Sequence, residues 1–140
     1  MTYDEFRKEF FVFFKWAMNC SVKARDEGLL ALEEELEQIK PSKLDLVKIG
    51  MRLVVDGTDA EIIDKILSNI INQEKDEYAK ILQQIQKEAV LSIQAGDNTR
   101  ISAILMNSYT DIPLDDPEYK EIVDGVYAEL EHRANVRRAR

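Results

Sequence analysis

Apolar side chains recur at helical spacing along most of the 140 residues, and no stretch alternates apolar and polar residues as a strand would. Five glycines and three prolines are the only strong helix breakers, which leaves little room for long loops. The first apolar stripe favours a buried helix face; it holds Phe6, Phe10, Phe13, Phe14 and Ala17. The sequence therefore predicts an all-α protein, a compact bundle of about five helices.

Two of the predicted helices are long, and the first of them opens the chain. It begins after Thr2, whose spacing to Glu5 is that of a capping box. It runs to about Ile39, because Pro41 disfavours helix at the residue before it. Gly28 lies inside this helix and marks a place where it can kink or break.

The third helix is the other long one. The second helix fits 42–55, with Ser42 as its cap, and ends at Asp56-Gly57. Thr58 then caps the third helix, which has no obvious stop before Gly96. Its polar middle, 74–77, is either exposed helix or a short break.

The C-terminal part of the chain predicts two further helices. A short one follows the turn at 96–98, and its apolar side carries Ile101, Ile104 and Leu105. The last spans 117–138, because Asp116 supplies a capping carboxylate and Pro117 suits the first helical position. We expect residues 1–140 to form a single helical domain.

Composition excludes several classes of protein. The formal net charge of -8 argues against a nucleic-acid partner, which needs a basic surface. The densest apolar run, 10–18, is shorter than the ~20 residues of a spanning helix, so we expect no integral membrane segment. Asp4 and Glu5 stand where a leader would be basic, and Cys20 is the single cysteine, so a cytoplasmic location follows.

Chemistry-bearing motifs are absent from the sequence. No Ser/His/Asp or Cys/His arrangement and no glycine-rich phosphate loop occurs at usable spacing. His132 stands alone among arginines, and the acidic clusters lack the regular spacing of a calcium loop. We therefore expect no enzyme activity, no catalytic residue, no cofactor and no metal site.

Two phrases carry more specific information than the composition does. Residues 24–33 read Ala-Arg-Asp-Glu-Gly-Leu-Leu-Ala-Leu-Glu, and residues 52–59 read Arg-Leu-Val-Val-Asp-Gly-Thr-Asp. Together they resemble the cytoplasmic part of the flagellar motor stator A subunit (MotA type), which belongs to the proton-channel family with TolQ and ExbB. The first resembling block is 21–67.

A second block, 84–108, resembles the cytoplasmic tail of the same family, with Thr99 where the family has proline. The whole resembling region is 21–109, and the last helix lies beyond it. In the family a pair of membrane helices separates the two blocks. Here residues 68–83, which are mostly polar, stand in their place, and the other membrane helices are missing too.

The resemblance implies that Arg25 and Glu33 bind a partner. In the family, the arginine and glutamate of the motif Arg-x-x-Gly-x-x-x-Leu-Glu meet charged residues of the rotor switch protein (FliG type) to transmit torque. The residues themselves add that neither charge has an opposite charge at helical spacing.

Alternatives remain open for both residues. Arg25 can pair with a carboxylate on another helix of this chain, can turn outward at a break near Gly28, or can serve a partner protein. Glu33 can equally belong to a solvated acidic face.

The expected function is that of an interaction protein of the flagellar motor. It would dock on the rotor switch protein or on stator subunits without conducting ions, in the cytoplasm at the base of the motor, as a monomer or homodimer. The alternative is a helical scaffold that assembles through apolar residues of the last helix, namely Tyr119, Val123, Val126 and Leu130. A chain made artificially, by deleting the membrane helices of a channel, also stays open.

Overall fold

The computed structural model describes residues 1–37 and 45–139. Within these ranges the chain forms seven α-helices and one 3₁₀ turn. In chain order they are α1 (Tyr3–Glu27), the 3₁₀ turn (Leu29–Leu32), α2 (Glu33–Glu37), α3 (Leu46–Val55), α4 (Ala60–Ile71), α5 (Glu77–Ala95), α6 (Thr99–Asn107) and α7 (Pro117–Ala139). The all-α prediction is confirmed, but the expected number of about five helices is too low.

Helix α1 begins as predicted and ends earlier. The Thr2 hydroxyl accepts the Glu5 N–H, and the Glu5 carboxylate accepts the Thr2 N–H, which completes the capping box. The predicted end near Ile39 is wrong for α1, because Gly28 leaves the helical conformation at φ 91 and ψ 165. The predicted boundaries at Ile39, Pro41 and Ser42 themselves lie outside the described residues.

The prediction of a long third helix is also wrong. It is two helices, α4 and α5, separated at residues 72–76. These five residues are all polar, so no side chain there can extend the buried stripe that ends at Ile71. Asp76 then starts α5 by accepting the Ala79 N–H at 2.8 Å. The polar middle of the predicted helix is therefore a short break.

The caps of the middle helices shift slightly from the predicted positions. Helix α3 starts at Leu46, and the Asp45 carboxylate accepts the Lys48 N–H at 3.2 Å. It ends at Val55 as predicted. Helix α4 has Asp59, not Thr58, at its cap position, and that side chain makes no capping hydrogen bond. A shift of one residue, as at the start of α4, is common at helix ends.

The core lies around α5, which packs against α1, α3, α4 and α6. Phe10 and Phe14 of α1 and Ile85 of α5 are fully buried. Helix α3 approaches its neighbours closely at Gly50, where a Cβ would lie 3.1 Å from side-chain atoms of both Leu67 and Val90 and those side chains would have to shift. Within the described ranges, no helix combines the length and apolarity needed to cross a membrane.

Helix α7 begins at Pro117, as predicted, and packs along α1. The Asp116 carboxylate caps its first turn by accepting the backbone N–H groups of Glu118 and Tyr119. The Tyr119 ring stacks on Phe14 with 5.2 Å between ring centroids.

An ion-pair cluster fastens the other end of α7. The Asp26 carboxylate of α1 accepts hydrogen bonds from Arg133 at 2.8 Å and Arg137 at 3.1 Å. The hydrogen bond from Arg133, followed by that from Arg137, holds the pKa of Asp26 below its ordinary value of 3.8. Arg133 and Arg137 of α7 therefore bind α1 of the same chain.

Gly28→Ala is expected to lower the free energy of unfolding by about 1–3 kcal/mol, because φ 91 strains any residue with a Cβ. No atom lies within 4 Å of the added methyl group, so the cost is conformational. Gly125→Ala in the interior of α7 is the matched control and should raise stability by about 0.5–1 kcal/mol. Urea unfolding measures both. Equal effects of the two substitutions would exclude the proposed role of the Gly28 conformation.

Asp26→Asn is expected to lower the free energy of unfolding by about 0.5–1 kcal/mol at neutral pH, because two partly exposed ion pairs are lost. The folded-state pKa of Asp26 is depressed, so its contribution is complete above the ordinary pKa of 3.8 and disappears as the pH falls through the folded-state value. The difference between wild type and variant should therefore shrink at acid pH, as the pH falls below 3.8 and through the folded-state pKa. A difference that persists undiminished there would contradict the assignment.

Candidate partner-binding site

The turn after α1 holds the two residues predicted to bind a partner. Arg25 lies in the last turn of α1, and Glu33 is the first residue of α2. Between and beyond them, the buried side chains of Leu32 and Leu36 pack into the core and fix the turn and α2 against it. Both charged side chains lie on the surface.

Arg25 contacts a backbone carbonyl. Its Nη1 donates to the oxygen of Gly96 at 2.7 Å. Gly96 is the left-handed residue that ends α5, and helix C-termini carry partial negative charge that favours a cation. The helix break at Gly28 and the exposure of Arg25 agree with the second of the three interpretations. In the described part of the chain, no ion pair with a carboxylate on another helix is observed.

Glu33 pairs with a residue that the sequence reasoning missed. Its Oε1 accepts a hydrogen bond from Arg52 of α3 at 3.2 Å, and the two side chains are 57% and 48% exposed. An ion pair this exposed contributes only about 0–1 kcal/mol. Helical spacing could not reveal it, because α3 returns to α2 only in the folded chain. The sequence signal that could have identified Arg52 was its place as the first residue of the second phrase, 52–59.

Contacts between distant residues bring the two resembling blocks together. Gln94 of the second block donates its side-chain N–H to the carbonyl of Thr58 at 2.7 Å. The hydroxyls of Ser21 and Thr99 lie 3.4 Å apart in the buried interior. Thr99 is the first residue of α6, a position where proline is also favoured, so its replacement of the family's proline suits the same helix start.

The surface beside the site is acidic. The exposed carboxylates of α2 are Glu33, Glu34 and Glu37, which we call the acidic face. Lys23 of α1 bridges to Glu34 at 3.1 Å and to the half-buried Glu35 at 3.2 Å. The hydrogen bond to Glu34, ahead of that to Glu35, raises the pKa of Lys23. Residues 26–37 contain no lysine or arginine, so the turn and α2 supply negative charge only.

The apolar residues proposed for assembly of a scaffold face the chain's own core. Tyr119 and Val126 are buried, and Val123 and Leu130 pack against the same cluster while partly exposed. These four side chains are occupied by intramolecular packing. No specific observation therefore favours assembly through them.

The described residues thus define an all-α fold in which opposite charges flank an exposed turn. Part of this chain is homologous to Motility protein A. It is 45% identical to the Borreliella burgdorferi protein over 64 residues, 46% of this chain and 24% of the relative. It is 38% identical to the Treponema pallidum protein over 56 residues, 40% of this chain and 20% of the relative.

A third relative is Motility protein A of Treponema phagedenis, 33% identical over 70 residues, which are 50% of this chain and 26% of the relative. The matched parts thus cover only about a quarter of the length of these relatives. No protein-family model matches the chain, and no solved structure matches it. The resemblance to the stator A family is confirmed over part of the chain.

Proposed function

We propose that this protein is a flagellar-motor interaction protein that docks on the rotor switch protein (FliG type) through Arg25 and Glu33. One observation carries the proposal: the first phrase, 24–33, folds so that both charges are exposed on either side of one turn. In this proposal Arg25 meets an acidic group of the partner and Glu33 meets a basic one. The homology to Motility protein A supports a role related to the flagellar motor.

The contacts that the two side chains make within the chain suit such docking. Arg25 holds a carbonyl at the surface, and Glu33 holds an exposed arginine. Both contacts are open to water, so exchanging them for partner groups costs little. The turn and α2 stay fixed through the buried side chains of Leu32 and Leu36. Arg25 and Glu33 can therefore replace their contacts within the chain by contacts with a partner protein, while the backbone keeps its conformation.

The protein acts without conducting ions in this proposal, in the cytoplasm at the base of the motor. Residues 68–83 stand where the resembling family has a pair of membrane helices. In this chain they form the end of α4, the 72–76 connection and the start of α5. Stator subunits are the alternative partner, and the protein acts as a monomer or homodimer.

Arg25→Glu is expected to weaken binding to the purified rotor switch protein at least about tenfold, because an attractive contact becomes repulsive. Reversing the charge of the facing acidic residue on the partner should restore binding. Calorimetry measures both affinities. The control is Arg138→Glu, which makes the same charge change at an exposed position of α7.

Undiminished binding by Arg25→Glu would remove Arg25 from the interface. Equal losses for the two variants would show that net charge alone governs the association. If the wild-type protein binds purified stator subunits and leaves the switch protein unbound, the alternative partner replaces the proposed one.

A further inference from the structure

Leu30 is the most exposed large apolar residue at the candidate site. It is 73% exposed in the 3₁₀ turn between Arg25 and Glu33, whereas Leu32 in the same turn is fully buried. Single exposed leucines are common on protein surfaces, so exposure alone assigns no role. The surroundings of Leu30 supply the further arguments.

The backbone around Leu30 is fixed before any partner arrives. The Ala31 N–H donates to the Gly28 carbonyl at 3.2 Å, and the Glu33 N–H donates to the carbonyl of Leu30. The ion pairs that Lys23 of α1 makes with two glutamates of α2 join these two helices, which precede and follow the turn. A partner therefore meets Leu30 at a set position, and little conformational entropy is lost on binding.

Ion-paired charges lie around this leucine, since the Glu33 carboxylate is paired with Arg52 and the Glu34 carboxylate with Lys23. Glu33 and Glu34 follow Leu30 by three and four residues, which places them on its side of the turn and α2. An apolar side chain within a charged rim is the usual arrangement of a binding interface. Charge complementarity then requires charged groups of both signs on the partner, around a recess that accepts one aliphatic side chain.

We propose that Leu30 is the hydrophobic anchor of the site and inserts into an apolar recess on the rotor switch protein, a recess whose rim carries charges of both signs. This inference rests on the proposed function and adds to it the chemistry of the partner's surface. The charges at Arg25 and Glu33 set orientation, and Leu30 supplies the part of the affinity that salt does not screen.

Leu30→Ala should weaken binding of the purified rotor switch protein about tenfold, by the same factor in about 50 mM and about 500 mM salt. Glu33→Gln, in contrast, should weaken binding more at low salt than at high salt. Leu30→Met should bind within about twofold of wild type, because it keeps an apolar side chain of similar volume. Calorimetry at the two salt concentrations gives all these affinities.

Leu114→Ala is the matched control, since Leu114 is also exposed, at 57%, but lies in the loop before α7. It should bind as wild type does. The thermal unfolding midpoint of Leu30→Ala should equal that of wild type, because the side chain is mostly in water.

Failure of the Leu30 anchor and failure of the proposed function give different binding results. Wild-type affinity in Leu30→Ala, or an equal loss in Leu114→Ala, overturns the anchor and leaves the proposed function standing. A wild-type chain that does not bind the switch protein overturns both proposals together.

Discussion

The backbone conformation of Gly28 is the constraint on which the arrangement of the site depends. At φ 91 the chain leaves α1, and the following turn carries Leu32 and Leu36 into the core. A continuous helix would align Arg25 with these same leucines, because they share its apolar stripe at 3.6 residues per turn. The break separates the cation from the stripe. It thereby allows a buried apolar segment and an exposed charged pair to occupy neighbouring positions.

Helix α5 provides the second constraint, because its C-terminal end contacts both phrases of the first resembling block. Its C-terminal carbonyl at Gly96 receives Arg25, and its Gln94 side chain binds the carbonyl of Thr58. The close approach of α3 at Gly50 seats the Arg52 helix on α5 beside α4. The short polar connection at 72–76 thus allows the elements around the site to pack as one cluster.

Local signals predicted the starts of α1 and α7 and the buried face of α1, but they did not predict the buried face of α6. The caps at Thr2 and Asp116 need only neighbouring residues, and both are confirmed. The side of α6 with Ile101 and Ile104 was expected to be its apolar face, yet both are exposed. Ser102 is buried instead, and its hydroxyl is satisfied there by the hydroxyl of Ser92 of α5, 2.6 Å away.

The sequence likewise predicted the residues of the candidate site but not the contacts that they make. Arg25 and Glu33 were recognisable from a motif within nine consecutive residues. Their contacts with Gly96 and Arg52 depend on packing between distant elements, which no local spacing encodes. The most direct test of the account is amide hydrogen exchange of the full chain with and without the rotor switch protein. The account predicts new protection at residues 25–37, centred on the 3₁₀ turn. Protection confined to α7, with residues 25–37 unchanged, would contradict it.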